Sequence, residues 1–326
     1  MIEPPGIPIV CLTLNPSVDI SYDISNLVVD QKIHAHANRH DPGGNGINVA
    51  RALKHLRVPA HSVCIVGGEI GDFLQRLIAH ELDHPHCIRI EGETRVNVTL
   101  LQREPRAQYE VSGTGPQVTE LALQAVIDEV LNLAGGGIAV LTGSLPPGVP
   151  PDMYASLIRA LRAQAARCVL DAQAEALIHG IEERPFLIKP NLYELEQLVG
   201  RALPNLDDIV TEARALQARG IEYVCVSLGA EGALLVDAQA SYLAKSPPVD
   251  VVSTVGAGDS MVAGLVAALS RGEPPAEALR LAVACGSGTA SRPGTALFGY
   301  QQVQALLAGI DIQRIKHTSP PPENSP

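Results

Sequence analysis

Tryptophan is absent from this chain of 326 residues, and aromatic residues make up only 3% of it. Hydrophobic residues still reach 46%, so the core must be built mainly from Ala, Leu, Val and Ile. Positive charge is scarce: 24 Lys and Arg stand against 35 Asp and Glu, a net charge of -11. That balance excludes a broad nucleic-acid-binding face. An anionic ligand has to be held by a few local cations and backbone amides. No C-x-x-C pair occurs among Cys11, Cys64, Cys87, Cys168, Cys225 and Cys285, and most of these lie in apolar, strand-like runs. Buried reduced thiols fit that placement better than disulfides or a metal site. Long apolar runs are missing too. The stretch 261–269 is far too short to span a bilayer, and MIEPPGIPIV lacks the basic and apolar regions of a signal peptide. A soluble, cytoplasmic protein is expected.

What is present is rhythm. The 29 Gly and 25 Pro suit a chain with many strand-to-helix turns. Short β-rich apolar runs at 7–14, 62–66, 138–142, 168–171, 186–189 and 223–228 alternate with helical patterns at 48–56, 73–81, 119–133, 152–166, 192–198 and 208–218. Such alternation predicts a parallel sheet covered by helices on both faces. Segments 21–38 and 95–109 break the rhythm, and 96–100 alternates apolar and polar as a half-exposed strand does. They are expected to project as a small second β element able to act as a lid beside a cleft. Past residue 252 the pattern turns helical, at 258–270, 275–290 and 301–307. The polar, Pro-rich tail 317–326 reads as disordered. Neither a repeat nor a domain linker is visible.

The strongest chemical signal is Thr254-Val255-Gly256-Ala257-Gly258-Asp259-Ser260, directly before the helical MVAGLVAALS. Small residues let amides at a helix N-terminus approach an anion, and the helix dipole favours negative charge there. Asp259 beside such an anion hole is placed to take a proton from an attacking hydroxyl. An ordinary loop-to-helix junction with an acidic residue in its first turn explains the same composition. A second signal, Asp41-Pro-Gly-Gly-Asn-Gly-Ile-Asn48, also precedes a helix, with Asn48 as a candidate cap; a tight turn without a ligand is the alternative. Lys189-Pro190-Asn191 to Glu194 follows a strand, with capping-box spacing between Asn191 and Glu194. The turns 143–148 and 227–232 also end strands. In an open parallel sheet the strand C-terminal ends are where ligands bind, so these turns say more together than apart. His80-Glu81-Leu82-Asp83-His84 matches the H-E-x-x-H zinc pattern. Pro85, directly after His84, disfavours the helix that a zinc site would need, and the match is taken as chance.

GGNGIN, TGSLPPG, KPNLYE, SLGAEG and TVGAGDS, in this order and spacing, resemble the ribokinase-type PfkB carbohydrate kinases. CLTLNPSVD with GGNGINVARAL narrows the resemblance to the phosphofructokinase branch. That branch includes the minor 6-phosphofructokinase, 1-phosphofructokinase and tagatose-6-phosphate kinase. The resemblance implies an α/β fold with a doubly wound, mostly parallel sheet and a small β-sheet lid. It implies a single kinase domain over 1–316, with lid segments at about 20–40 and 95–112 and assembly as a homodimer through the lid. Asp259 would be the catalytic base, and the amides of Gly256, Ala257 and Gly258 would hold charge on the γ-phosphate. Asp19, Gly43, Gly44, Asn48 and Ser144 would bind the sugar, and Lys32 and Arg95 its existing phosphate. Lys189, Asn191, Ser227, Gly229 and Gly232 would border ATP, with Glu194 and Asn191 acting on Mg2+ through water. A monovalent cation is a further candidate ligand around Ser291 to Gly294, where Arg292 replaces the family's Asn. Two other departures are Asn45, where many members carry Lys, and His34, where the minor 6-phosphofructokinase usually has Arg. The expected reaction is MgATP-dependent phosphorylation of fructose 6-phosphate, with 1-phosphofructokinase or tagatose-6-phosphate kinase as the alternatives. A non-catalytic sugar-phosphate sensor is a more distant one.

Overall fold

The computed structural model describes residues 7–315, so the tail expectation at 317–326 lies outside the described residues. The chain opens with β1 (Ile9–Thr13), then β2 (Ser17–Ile24), β3 (Ala37–Gly43) and α1 (Asn45–His55). It continues through β4 (His61–Val66), α2 (Gly68–Glu81), β5 (His84–Arg89), β6 (Arg95–Gln102) and β7 (Ala107–Val111). Next come α3 (Glu120–Ala134), β8 (Ile138–Thr142), α4 (Met153–Ala163), β9 (Arg167–Asp171), α5 (Ala174–Glu182) and β10 (Leu187–Ile188). The remaining elements are α6 (Leu192–Val199), α7 (Leu206–Ala218), β11 (Tyr223–Ser227), β12 (Ala233–Val236), β13 (Ser241–Ala244), α8 (Ala257–Ser270), α9 (Pro275–Ala290), α10 (Tyr300–Leu307) and β14 (Ile312–Ile315).

Ten strands form one sheet in the order β14-β13-β12-β11-β10-β9-β8-β1-β4-β5. From β11 to β5 every pairing is parallel, and β12 to β14 add antiparallel strands at the other edge. Strand side chains alternate between two cores because successive residues point to opposite faces. Ile9 and Cys11 enter one core, Val10 and Leu12 the other; Cys64 and Val66 are likewise divided from Val63 and Ile65. Helices α1, α2, α8 and α9 cover the first face, and α3, α4, α5 and α7 the second. At roughly 1.5–3 kcal/mol for each large aliphatic side chain buried, these two layers hold the fold. Among the described residues no helix is long and apolar enough to cross a membrane.

These layers form the expected α/β fold around a mostly parallel sheet, with a smaller separate sheet in the order β3-β2-β6-β7. This sheet draws on the two segments that broke the helical rhythm, but β2 begins before the first of them, at Ser17, and most of β3 lies beyond it, up to Gly43. Its strand β6 is half-buried along most of its length, but burial does not follow the apolar–polar alternation: Thr99 is buried, whereas Val96, Val98 and Leu100 stay partly exposed. Several expected boundaries move. Helix α1 starts at Asn45 with Gly44 as its N-cap, so Asn48 is not the cap; it lies one turn inside, buried. Helix α2 begins five residues before the expected 73, at Gly68. Strand β5 was not foreseen: its residues His84, Pro85 and His86 carry little apolar signal, but it pairs in parallel with β4 along six residues. This strand also disposes of the zinc pattern. Helix α2 ends at Glu81, Leu82 is extended (φ -113°, ψ 153°), and His84 opens a strand, so the two histidines share no helix face.

Candidate active site

Strand β1 pairs with β8 on one side and β4 on the other, and the chain turns from one half of the sheet to the other there. That reversal is the crevice where open α/β sheets bind ligands, at the strand C-terminal ends. The loops after β1 and β8 meet in it, where the Asn15 amide donates to Ser144 Oγ at 3.1 Å. The loop after β1 runs into the small sheet at Ser17, and the small sheet returns through Gly43 to α1. Strand pairing brings Asp19 level with Asp41, and Gly43 sits against the Asp19 side chain. A Cβ on Gly43 would lie 2.3 Å from an Asp19 carboxylate oxygen, so only glycine fits. Ser17 Oγ and the Asn97 amide donate to that carboxylate at 2.6 and 2.9 Å. Burial pushes the Asp19 carboxyl above its ordinary value, opposed by these hydrogen bonds and by the Arg95 charge.

Asp259 is the hub. It lies in the first turn of α8 and is 5% exposed. The Asn45 amide donates to one of its carboxylate oxygens and the Asn48 amide to the other, both at 2.9 Å. These donors are three residues apart at the start of α1, so one helix turn presents both to the same carboxylate. Gly256 caps α8 with φ 75°, the left-handed region in which a side chain is strained. The Ala257 amide, expected in the anion hole, instead donates to the Thr254 carbonyl at 3.2 Å; the next two, of Gly258 and Asp259, have no earlier helical carbonyl to bond and remain available to an anion. Burial, with the Asp171 charge added, raises Asp259 to about 6; Asn48, Lys189 and Asn45 pull the other way.

Lys189 directly follows β10, 5% exposed, with Nζ 3.2 Å from an Asp171 oxygen at the end of β9. A Cβ on Gly258 would lie 3.4 Å from that ammonium, so the cation sits beside the glycine loop. Burial works against the charge on Lys189, but the Asp171 carboxylate outweighs it and holds the ammonium above its ordinary value. A buried carboxylate, a buried cation and free helix amides thus converge on one point. The combination can accept a proton from a hydroxyl while stabilising negative charge next to it.

Farther along the sheet edge, Asn191 and Glu194 form a full capping box: Glu194 N–H donates to Asn191 Oδ1 at 2.8 Å, and Asn191 N–H to Glu194 Oε2 at 2.9 Å. Burial raises the Glu194 carboxyl above its ordinary value, the hydrogen bond from Asn191 opposes this, and Asp171 and Lys189 also bear on it. An oxygen-only donor set of this kind suits a hard divalent cation reached through water, since one Glu194 oxygen is already engaged. Asn191 bridges to Ser227, and Gly229 and Gly232 bound the single 3-10 turn that joins β11 to β12.

Two of the expected sugar-side cations stand apart from this cluster. Lys32 is exposed on the connection between β2 and β3. Arg95 opens β6, and its Nε and Nη2 donate to the Asn15 carbonyl at 3.1 and 2.8 Å, with Nη1 3.4 Å from the Gly113 carbonyl. Its fork is spent on the backbone here, but through Asn15 it reaches the loop that holds Ser144. Arg292 is exposed at the end of α9. Four residues with evident positions went unassigned in the sequence: Asp171, Asn45 as a partner of Asp259, Asn97 and Asn15. Asp171 was within reach, because it closes a predicted strand at the edge where ligands bind.

This geometry belongs to a known family. The sequence profile of the pfkB family carbohydrate kinases matches residues 12–301, and the chain is a member of that family. More narrowly, it is a phosphofructokinase-type kinase. It is 37% identical over 306 residues to the 1-phosphofructokinase of Bacillus subtilis, covering 93% of this chain and 99% of that one. It is 36% identical over 303 residues to the ATP-dependent 6-phosphofructokinase isozyme 2 of Escherichia coli, covering 91% and 97%. The crystal structure of phosphofructokinase-2 from Escherichia coli in complex with potassium superposes with a TM-score of 0.89 at 35% identity, covering 93% of this chain and 98% of that one.

Proposed function

We propose that the chain transfers the γ-phosphate of MgATP to the free primary hydroxyl of a ketohexose monophosphate, with fructose 1-phosphate the preferred acceptor. The observation that carries the chemistry is the buried Asp259, fixed by Asn45 and Asn48 at the mouth of an amide-lined helix start beside Lys189. Asp259 takes the proton of the acceptor hydroxyl as its oxygen attacks. Gly256 and Gly258 present amides, joined by Ala257 once its bond to the Thr254 carbonyl opens, and Lys189 presents an ammonium, to the transferring phosphoryl group. Asp19, Gly43, Gly44, Asn48 and Ser144 hold the sugar hydroxyls; Lys32 and Arg95 attend its phosphate. Asn191, Ser227, Gly229 and Gly232 border the nucleotide. Mg2+ carried in with ATP, steadied through water by Glu194 and Asn191, neutralises phosphate charge. The small sheet closes over the sugar to exclude water, and pairing of two such sheets makes a homodimer. A monovalent cation near Ser291 to Gly294 finds support in the potassium complex of the Escherichia coli relative, although Arg292 alters the donor set.

Fructose 6-phosphate was the first expectation, and the 36% identity to isozyme 2 keeps it as a second reading. Two features favour fructose 1-phosphate. Relatives from Bacillus subtilis and Escherichia coli at 37% and 36% identity are 1-phosphofructokinases. His34 also stands where an arginine would complete the phosphate pocket of the minor 6-phosphofructokinase. A coupled assay for ADP release across fructose 1-phosphate, fructose 6-phosphate, tagatose 6-phosphate and free fructose tests the proposal. The highest kcat/KM is expected for fructose 1-phosphate. A clear preference for fructose 6-phosphate would replace the first reading by the second, and activity only on free sugars would overturn both.

A further inference from the structure

Cys64 and Cys87 face each other across the parallel pair β4–β5, in direct register, with their sulfurs 3.9 Å apart. Residues opposite one another on neighbouring strands have Cα atoms about 4.8 Å apart, within the span a disulfide bridges. Cys64 is fully buried, whereas Cys87 is partly exposed on the edge strand of the large sheet. We propose that this pair is a reversible dithiol–disulfide site that responds to hydroperoxides, with Cys87 the reacting thiol and Cys64 the resolving one.

Oxidation runs in two steps. The Cys87 sulfur attacks one peroxide oxygen, the O–O bond breaks, and the other oxygen leaves as water or an alcohol. Cys87 is then a sulfenic acid. The Cys64 sulfur attacks the Cys87 sulfur, the S–O bond breaks, and the hydroxyl leaves as water with the Cys64 proton. Two thiols are oxidised and one peroxide is reduced. The shared contact prepares the pair: either sulfur can donate across it, and donation by Cys64 leaves Cys87 the acceptor, the role a thiolate takes. That bond raises Cys64 well above the ordinary thiol value and lowers Cys87 below it. Reactive cysteines combine thiolate character with access, and among the described residues only Cys87 has both. Cys11, Cys168, Cys225 and Cys285 are buried, and burial pushes each of their thiols upward, Cys168 and Cys225 to about 12.

Closure would draw the sulfurs from 3.9 Å to about 2.04 Å and tie the edge strand to its neighbour. The connection that follows β5 runs through residues 90–94 into β6, so the tie lies at the root of the small sheet. The test is native treatment of the purified protein with hydrogen peroxide, alkylation of the remaining thiols and mass analysis. The expected product is two hydrogens lighter, keeps four of its six thiols, links tryptic peptides 58–76 and 77–89, and recovers all six with dithiothreitol. Cys64→Ala should stop at a Cys87 sulfenic acid that dimedone traps, and Cys87→Ser should leave Cys64 reduced. Persistence of six thiols in the wild type would overturn the proposal. So would a linkage through any other cysteine, or a wild-type Cys87 sulfenic acid that never resolves. The peptide map of the wild type decides the matter even if a variant fails to fold.

Discussion

Asp259→Asn should damage turnover and strengthen the fold at once. The carboxyl is wholly buried and raised from 3.8 to about 6, so the folded protein binds its proton more tightly than the unfolded chain does. Between these two values stability therefore falls as pH rises, and above about 6 the full penalty of a buried charge is present. A rise of roughly two pH units at about 1.4 kcal/mol each amounts to about 3 kcal/mol. The amide avoids that penalty but cannot accept from both neighbours. Asn48 already accepts from Arg51, so the exposed Asn45 must turn its carbonyl towards residue 259, at a cost of about 1 kcal/mol. The net gain at pH 7.5 is about 2 kcal/mol, or roughly 4–8 °C in Tm at the 2–4 °C per kcal/mol of larger domains. Melts of both proteins at pH 7.5 and near pH 4.5 should show the gap narrowing in acid, where the wild-type carboxyl is protonated. The same variant should lose at least ~10²-fold in kcat. An Asp259→Asn protein no more stable than wild type at pH 7.5, with no pH-dependent gap, would refute the burial argument. Near-normal turnover would refute the base assignment.

Asp171→Asn removes the like charge that raises Asp259 and frees Lys189 to act on it, so both effects lower the Asp259 carboxyl; the acid limb of the kcat/KM–pH profile should move below about 6. Glu194→Gln should raise the Mg2+ concentration needed for half-maximal rate, whereas a purely capping role predicts only about 1 kcal/mol of lost stability; a Mg2+ titration beside a thermal melt separates them. Arg95→Ala should lower kcat/KM for the phosphorylated sugar by roughly 30- to 150-fold, the equivalent of about 2–3 kcal/mol, and erase most of the preference over free fructose while sugar-independent ATP hydrolysis stays constant.

The large sheet was legible because its central strands are uninterrupted apolar runs, as β1 and β8 show with every residue buried. The polar edge strand β5 and the late strand β14 were not, because pairing rather than hydrophobicity makes them strands. The motif glycines and Asp259 announced the site, but their partners came from folding. Asn48 looked like a helix cap by position, yet α1 begins earlier and turns it towards Asp259. Nothing in its local sequence records a contact to a residue 211 positions away. Arg95 was expected at the sugar's phosphate; its bonds to the Asn15 carbonyl depend on a strand register that only the assembled small sheet defines.

That register has a kinetic side. Strands β2 and β6 lie parallel along eight residue pairs, from Ser17–Arg95 to Ile24–Gln102, although 78 residues separate the partners. Between them the chain must thread β3, α1, β4, α2 and β5. The pair therefore cannot close until β1, β4 and β5 have brought its roots together, and its loop-closure entropy is met only by contacts made afterwards. Pulse-labelled hydrogen exchange during refolding should find the amides of β2 and β6 protected after those of β1, β4 and β8. The small sheet, proposed to cover the sugar, would then be the last part of the molecule to be built.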